Sequence, residues 1–311
     1  MSDAWPVLGW ADWRATAKHL HLMTQVAGKV RLAHTPWLNH SWHVTLYPTA
    51  RGLDTGPVPA GPVTVQLSFD LIDGRLHIAS DRGETREVAL RAGSIAGFLR
   101  EVLAALDALG APTVIDPMPS EIPGAVRMDT DDDERPFDAD AARRFRRALL
   151  SVDRVFREFR TGFLGKASPA HFFWGSFDLA VTRFSGRAAP LHPGGAPGLP
   201  DDVTREAYSH EEASLGFWPG NDDYPHAAFY AYAWPMPGGY ADAAVRPEGA
   251  AFDAKLGEFL LSYDAVRASP DPRAMLLDFA RTTYAAAADL GRWDRAALEC
   301  AIGAPGRPRT V

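Results

Sequence analysis

Residues 161–187, TGFLGKASPAHFFWGSFDLAVTRFSGR, and residues 24–37, TQVAGKVRLAHTPW, share a pattern around which the chain is organised. Laid without a gap, 24–37 on 161–174 agree at Thr, Gly, Lys, Ala, His and Trp, six of fourteen positions. The content matters more than the count, because the chain has only four lysines (18, 29, 166 and 255) and two of them pair here. Each copy follows an amphipathic helix and precedes strand-like sequence, SWHVTLYPTARG in one and SFDLAVTRFSG in the other. A tandem duplication is therefore expected. The fold class follows as α+β, with two pseudo-symmetric halves, each a helix, about four antiparallel strands and a helix.

Working outward, residues 10–26 have Trp13, Ala17 and Leu20 on one helical face, with Gly28 placed to end the helix and Pro36 to block any continuation. Residues 41–51 read as a strand. Runs 63–72, 75–80 and 85–91 read as an antiparallel meander, with an Asp73-Gly74 hairpin turn. Ser94 caps a helix whose apolar stripe runs from Ile95 to Leu109, and Gly110 stops it. A connector follows, with a short strand expected at 113–115 and a solvated acidic run at 129–134. Residues 138–160 form an amphipathic helix with an arginine-rich outer face, read either as solvated or as an anion-binding face. Strands are expected at 176–185 and 227–235, then a hairpin over 250–263. Pro272 opens a last long helix after Ser269 or Asp271. The expected domains are a first repeat (1–110), a connector (111–137), a second repeat (138–291) with an inserted loop (187–226), and a tail (292–311).

Bulk properties narrow the function. Thirty-two basic against 39 acidic residues give a net charge of −7, so neither nucleic acid nor an anionic membrane is an expected partner. The single cysteine, Cys300, allows no intrachain disulfide and no cysteine-based metal knuckle. The start, MSDAWPVLGWADWR, has neither a basic nor an apolar leader region, and no run approaches a membrane span. A cytoplasmic location is expected.

Three sets of residues carry the candidate chemistry. Lys29 and Lys166 could hold an anion beside His34 and His171 as acid or base, with Trp37 and Trp174 as ligand platforms. The competing account makes them scaffold: Gly-Lys closes a helix, histidine bonds backbone and tryptophan fills core. His210 with a carboxylate, Glu211 foremost, follows the long loop and precedes GFWPG with Trp218, an arrangement suited to acid–base work. Tyr230, Tyr232 and Trp234 alternate onto one strand face, opposite Ala231 and Ala233. His40 with His43, three apart on a strand, and His19 with His21, two apart on a helix, do not align as ligand pairs, so neither pair is expected to hold a metal. HExxH, Walker and GxSxG motifs are absent, and no particular cofactor is implied.

The blocks GKVRLAHTPWLNHSWHVTLYPTARGL, SPAHFFWGSFDLAVTRFSGR, REAYSHE and GFWPG resemble an uncharacterised bacterial protein family of unknown function, over about residues 5–300. The resemblance implies a cytoplasmic bacterial protein and transfers no activity, cofactor or site. Two readings of function follow. One is a small-molecule-binding protein or enzyme with a pocket between the halves. The other is a non-catalytic structural or interaction protein, with a homo-oligomer as one form, whose aromatic clusters are core and interface.

Overall fold

A computed structural model describes residues 4–196 and 198–309. The first half opens with helix α1 (Trp10–His34). Strands β1 (Tyr47–Pro48), β2 (Gly52–Asp54), β3 (Val58–Ala60), β4 (Val63–Asp70), β5 (Arg75–Ser80) and β6 (Thr85–Ala89) follow, then α2 (Ile95–Ala108). The second half runs α3 (Ala139–Thr161), β7 (His171–Phe173), β8 (Asp178–Ala188), α4 (Asp201–Ala207), β9 (His210–Trp218), β10 (Ala228–Trp234), β11 (Ala251–Asp253) and β12 (Glu258–Ser262). Helices α5 (Tyr263–Ala268), α6 (Pro272–Leu290) and α7 (Arg295–Leu298) complete it. Each half is thus a helix, a six-stranded antiparallel sheet and further helix, an α+β plan.

Local signals fixed several elements. Ser94 Oγ accepts from Gly97 N at the start of α2, and the left-handed Gly110 (φ 75°) follows its end. Asp138 caps α3, and Asp271 with Pro272 starts α6. The meander forms with Arg75 opposite Asp70 across the Asp73-Gly74 turn. Each strand count is six rather than about four, because short edge pieces such as β1, β3, β7 and β11 join each sheet.

Three expectations need correction. Gly28 does not end α1, which runs on to His34 and stops where Pro36 forces Thr35 into extended backbone. Residues 41–51 are not one strand: a 3-10 turn at Asn39–Ser41, with His40 and Ser41 at φ 58° and 55°, precedes only the short β1. No strand forms at 113–115. The fourteen-residue match also spans different local structure, helix at 24–34 but loop and strand at 162–173.

The two sheets meet where Leu46 and Phe172 exchange backbone hydrogen bonds of 2.9 and 2.8 Å. One apolar cluster runs through both halves and includes Trp13, Phe69, Phe145, Phe172, Phe217 and Phe279. The second sheet packs Leu179, Val181, Leu215, Phe217, Phe229, Phe259 and Leu261 on the side of its helices. Arg183 is buried on that same apolar side. Its guanidinium lies 3.6 Å from the Phe159 ring centroid and 4.4 Å from that of Tyr284, and it donates to Phe159 O in the last turn of α3. A buried cation over aromatic faces that also satisfies a helix-end carbonyl is worth several weak terms together. Arg183→Met is expected to lower unfolding free energy by about 3 kcal/mol. Equal urea midpoints for wild type and variant would remove this role.

Candidate functional site

The opposite face of the second sheet is polar. Pairing Phe184 with Glu212 and Glu212 with Trp234, then Thr182 with Ser214 and Ser214 with Tyr232, sets these side chains in rows on one surface. A third row pairs Ala180, Gly216, Tyr230 and Leu260, and Glu258 shares the face of Leu260 two residues away. A polar sheet face normally meets solvent. Here three other segments close over it: the turn at 37–46 from the first half, the connector around Glu121, and α4 with the neighbouring Ser209 and His192.

The Tyr230 ring crosses the sheet because residue 216 is glycine. A Cβ there would lie 2.0 Å from Tyr230 Cζ, so only glycine leaves room for the phenol to reach Asp178 on β8. Asp178 also accepts from Ser176 Oγ, at 2.5 Å. Tyr230 and Tyr232 lie nearly parallel, with centroids 6.1 Å apart and planes at 13°. Tyr232 Oη is 3.1 Å from Tyr208 Oη and donates at 3.5 Å to Glu212 Oε1. His192 stacks on Tyr208 at 4.8 Å and lies 4.4 Å from Trp234.

Lys166 stands at one corner. Its Nζ is 2.5 Å from His40 Nε2, and 4.6 and 5.4 Å from the ring centroids of Phe184 and Trp42. His40 Nδ1 donates to Ala207 O at 2.6 Å, which leaves Nε2 as the acceptor for the lysine. The left-handed His40 is pinned by its own N–H, which donates to Glu206 at 3.0 Å. Strain at a non-glycine residue persists only when its surroundings hold it in place. The His210 ring lies 5.7 Å from that of His40.

Enclosure sets the electrostatics. Burial pushes the Glu212 carboxyl up to about 8, against a smaller downward pull from the Tyr232 hydroxyl and from Lys166. Burial lowers Lys166, opposed by Glu206 and Glu212, and it lowers His40. Burial plus the Asp178 charge raises Glu121 to about 7, and burial with Asp178 and Asp253 raises Glu258 to about 7.

The residues singled out from sequence disperse. Lys166 and His210 are at this corner. Glu211 turns to the other face of β9, where Arg187 holds it at 2.6 Å; Glu212 takes the place beside His210. His171 is buried beside Trp42 and Tyr47, and burial with Arg31 and Arg160 nearby pushes it down to about 3. Trp174 is core: its ring covers Gly28 and its indole donates to Val44 O at 2.7 Å. Lys29 bonds Ser120 Oγ at 3.3 Å. His34 contacts Thr113 Oγ1 at 2.9 Å, exposed Trp37 stacks on His43, and Trp218 stacks on Tyr224. The Lys/His/Trp pairs of the two copies therefore do not meet at one point.

Other residues were not anticipated. The sequence offers His40 only as a misaligned metal pair with His43, on a strand that does not form. Glu121 lies in a connector without periodicity. It is positioned by α1, where Gln25 receives Ser120 N at 2.7 Å and donates to Ser120 O at 2.8 Å. His21, one turn earlier, bonds Gly175 O at 2.9 Å. The i, i+4, i+8 spacing of His21, Gln25 and Lys29 was the available signal. Among the described residues no three His, Cys, Asp or Glu side chains converge as for a metal ion, and no helix is long and apolar enough to cross a membrane.

The fold and site define an α+β protein with a polar, largely enclosed sheet face between two halves. The chain belongs to a family of unknown function, DUF5996, whose model matches residues 5–300. No curated protein and no solved structure matches it significantly.

Proposed function

We propose that this protein is an enzyme that binds a small molecule in the cleft between its halves and moves a proton there. The observation that carries this reading is the meeting of His40 from the first half with Lys166 and Glu212 from the second. Near pH 7 a carboxyl held at about 8 is largely protonated, so Glu212 is the acid. The Lys166–His40 pair, with Nδ1 of the imidazole tied to backbone, is the basic or nucleophilic side. Tyr208 and Tyr232 continue the hydrogen-bond chain from Glu212 into the cleft. His210 borders the same corner.

A thermal-shift screen of small metabolites should find compounds that stabilise the wild type. Their binding or turnover should depend on Lys166→Met and Glu212→Gln, with turnover falling about 100-fold in the latter. If no compound stabilises the protein, or if the compounds found act equally on both variants, this reading is lost.

A further inference from the structure

Resting on that cleft, the geometry points to a subsite for an organic cation, an ammonium or guanidinium group, held by Glu121 and Glu258 against the rings of Tyr230 and Tyr232. Three carboxylates come from three separate elements: Glu121 from the connector, Asp178 from β8 and Glu258 from β12. Glu121 and Glu258 each lie within electrostatic reach of Asp178. Asp178 has Ser176 and Tyr230 as donors. Among the described residues neither the Glu121 nor the Glu258 side chain has a hydrogen-bond or ion-pair partner. Elsewhere carboxylates of this chain find arginine: Asp70 with Arg51, Asp131 with Arg135, Asp278 with Arg246.

Glu121 is not an idle surface residue. It is half-buried, and its carboxyl packs over Gly175, where a Cβ would lie 2.0 Å from Oε1. Its backbone is left-handed, at φ 59°. Glu212, only 5% exposed on the same sheet face, has just one weak partner, the Tyr232 hydroxyl at 3.5 Å. The Tyr208 phenol lies within electrostatic reach of Glu121, Glu212 and Glu258 alike.

The aromatic component matches a cation. At the corner beside His40, Lys166 already uses this device, with its ammonium over Phe184 and Trp42 and within electrostatic reach of Glu212. The Tyr230–Tyr232 side repeats rings and carboxylates, and among the described residues no lysine or arginine pairs with Glu121 or Glu258 there. A multi-donor ammonium or guanidinium can satisfy separated carboxylates while resting on a ring face. The carboxylates are not gathered tightly enough to encircle a metal ion. An anionic ligand would add to charges that already repel.

The same groups make binding pH-dependent. The carboxyls of Glu121 and Glu258, both raised to about 7 by burial and carboxylate neighbours, must ionise to hold the cation. Asp178 opposes the ionisation of both and Asp253 that of Glu258, and a bound cation relieves it. Binding therefore releases protons and tightens from pH 6 to pH 8.

Calorimetry with 1,4-diaminobutane and propylguanidine, against 1-butanol and propionate, tests the subsite in wild type, Glu121→Gln, Glu258→Gln and Lys166→Met. The two cations should bind saturably at pH 8 and release protons. Affinity should fall about tenfold in each carboxamide variant and persist in Lys166→Met. Circular dichroism checks that each variant is folded. Equal binding of butanol and diamine, or undiminished binding by both carboxamide variants, overturns the proposal. So does tighter binding of Mn²⁺ that displaces the diamine. If neutral or anionic compounds bind in a Lys166-dependent way while the cations do not, the cation subsite falls and the cleft reading stands. If no small molecule of any class binds, both fall.

Discussion

Gly28→Ala is expected to destabilise the protein by about 4 kcal/mol, although alanine is the better helix former. Gly28 sits inside α1 with helix on both sides. Helix propensity alone favours the substitution by about 1 kcal/mol. Contact opposes it. A Cβ at residue 28 would lie 2.3 Å from three atoms of the Trp174 indole, where an ordinary contact needs well over 3 Å. Trp174 is 5% exposed and cannot retreat without losing its hydrogen bond to Val44 O and its packing across the two halves. A displaced tryptophan and an unpaired buried indole together outweigh the propensity gain. Urea denaturation followed by circular dichroism measures the effect. Combining Gly28→Ala with Trp174→Leu should restore part of the loss, because the smaller side chain removes the clash. A Gly28→Ala protein as stable as wild type would show that the indole moves freely.

The same pair shows where sequence reading succeeded and where it could not. Gly-Lys at 28–29 resembles a helix stop, and nothing local distinguishes a terminal glycine from one that admits a ring from residue 174. Capping signals worked where the cause is local: Ser94 and Asp271 start their helices, and Asp73-Gly74 turns its hairpin. The alternation in AFYAYAW put Tyr230 and Tyr232 on one face, as the structure has them. Alternation in HEEASLGFW likewise puts Glu212, not Glu211, beside His210. The turn at His40 was not legible, because Glu206, 166 residues away, holds it. Nor was the use of the polar face, since a pattern of alternate polar residues says nothing about whether solvent or another segment will cover them. The candidate site is built from such long-range closures, so only its strand-borne part could be read in advance.

Glu212→Gln should raise stability, and the gain should grow with pH. The folded Glu212 carboxyl is held at about 8, above its ordinary value near 4.5, so the folded state binds the extra proton between those values. Stability from this group is full below the unfolded pKa and declines as pH rises through the folded one. Glu121 and Glu258, raised to about 7, act in the same direction. Three buried histidines oppose them: His19 and His21 are pushed down to about 4, and His171 to about 3, chiefly by burial. Their folded state sheds protons that the unfolded chain keeps up to about pH 6.5, so their contribution rises with pH over that window. From about pH 5 to 6.5 the two sets offset each other and the profile is nearly flat. Above 6.5 only the carboxyls still titrate, and stability falls by about 2–3 kcal/mol, about 4 °C in Tm, on reaching pH 8. Glutamine matches the shape of the protonated acid and cannot ionise. The variant should gain little at pH 4, roughly 2 kcal/mol at pH 6 and roughly 4 kcal/mol at pH 8, while the decline above pH 6.5 is more than halved. Differential scanning calorimetry across pH 4–9 reads both quantities. The opposite result, a variant that loses stability at pH 8, would mean that Glu212 is ionised and tied to Lys166, and the acid role would fall with it. Stability given up for an uncharged carboxyl in an enclosed polar site is the pattern of a group kept for its chemistry rather than for the fold.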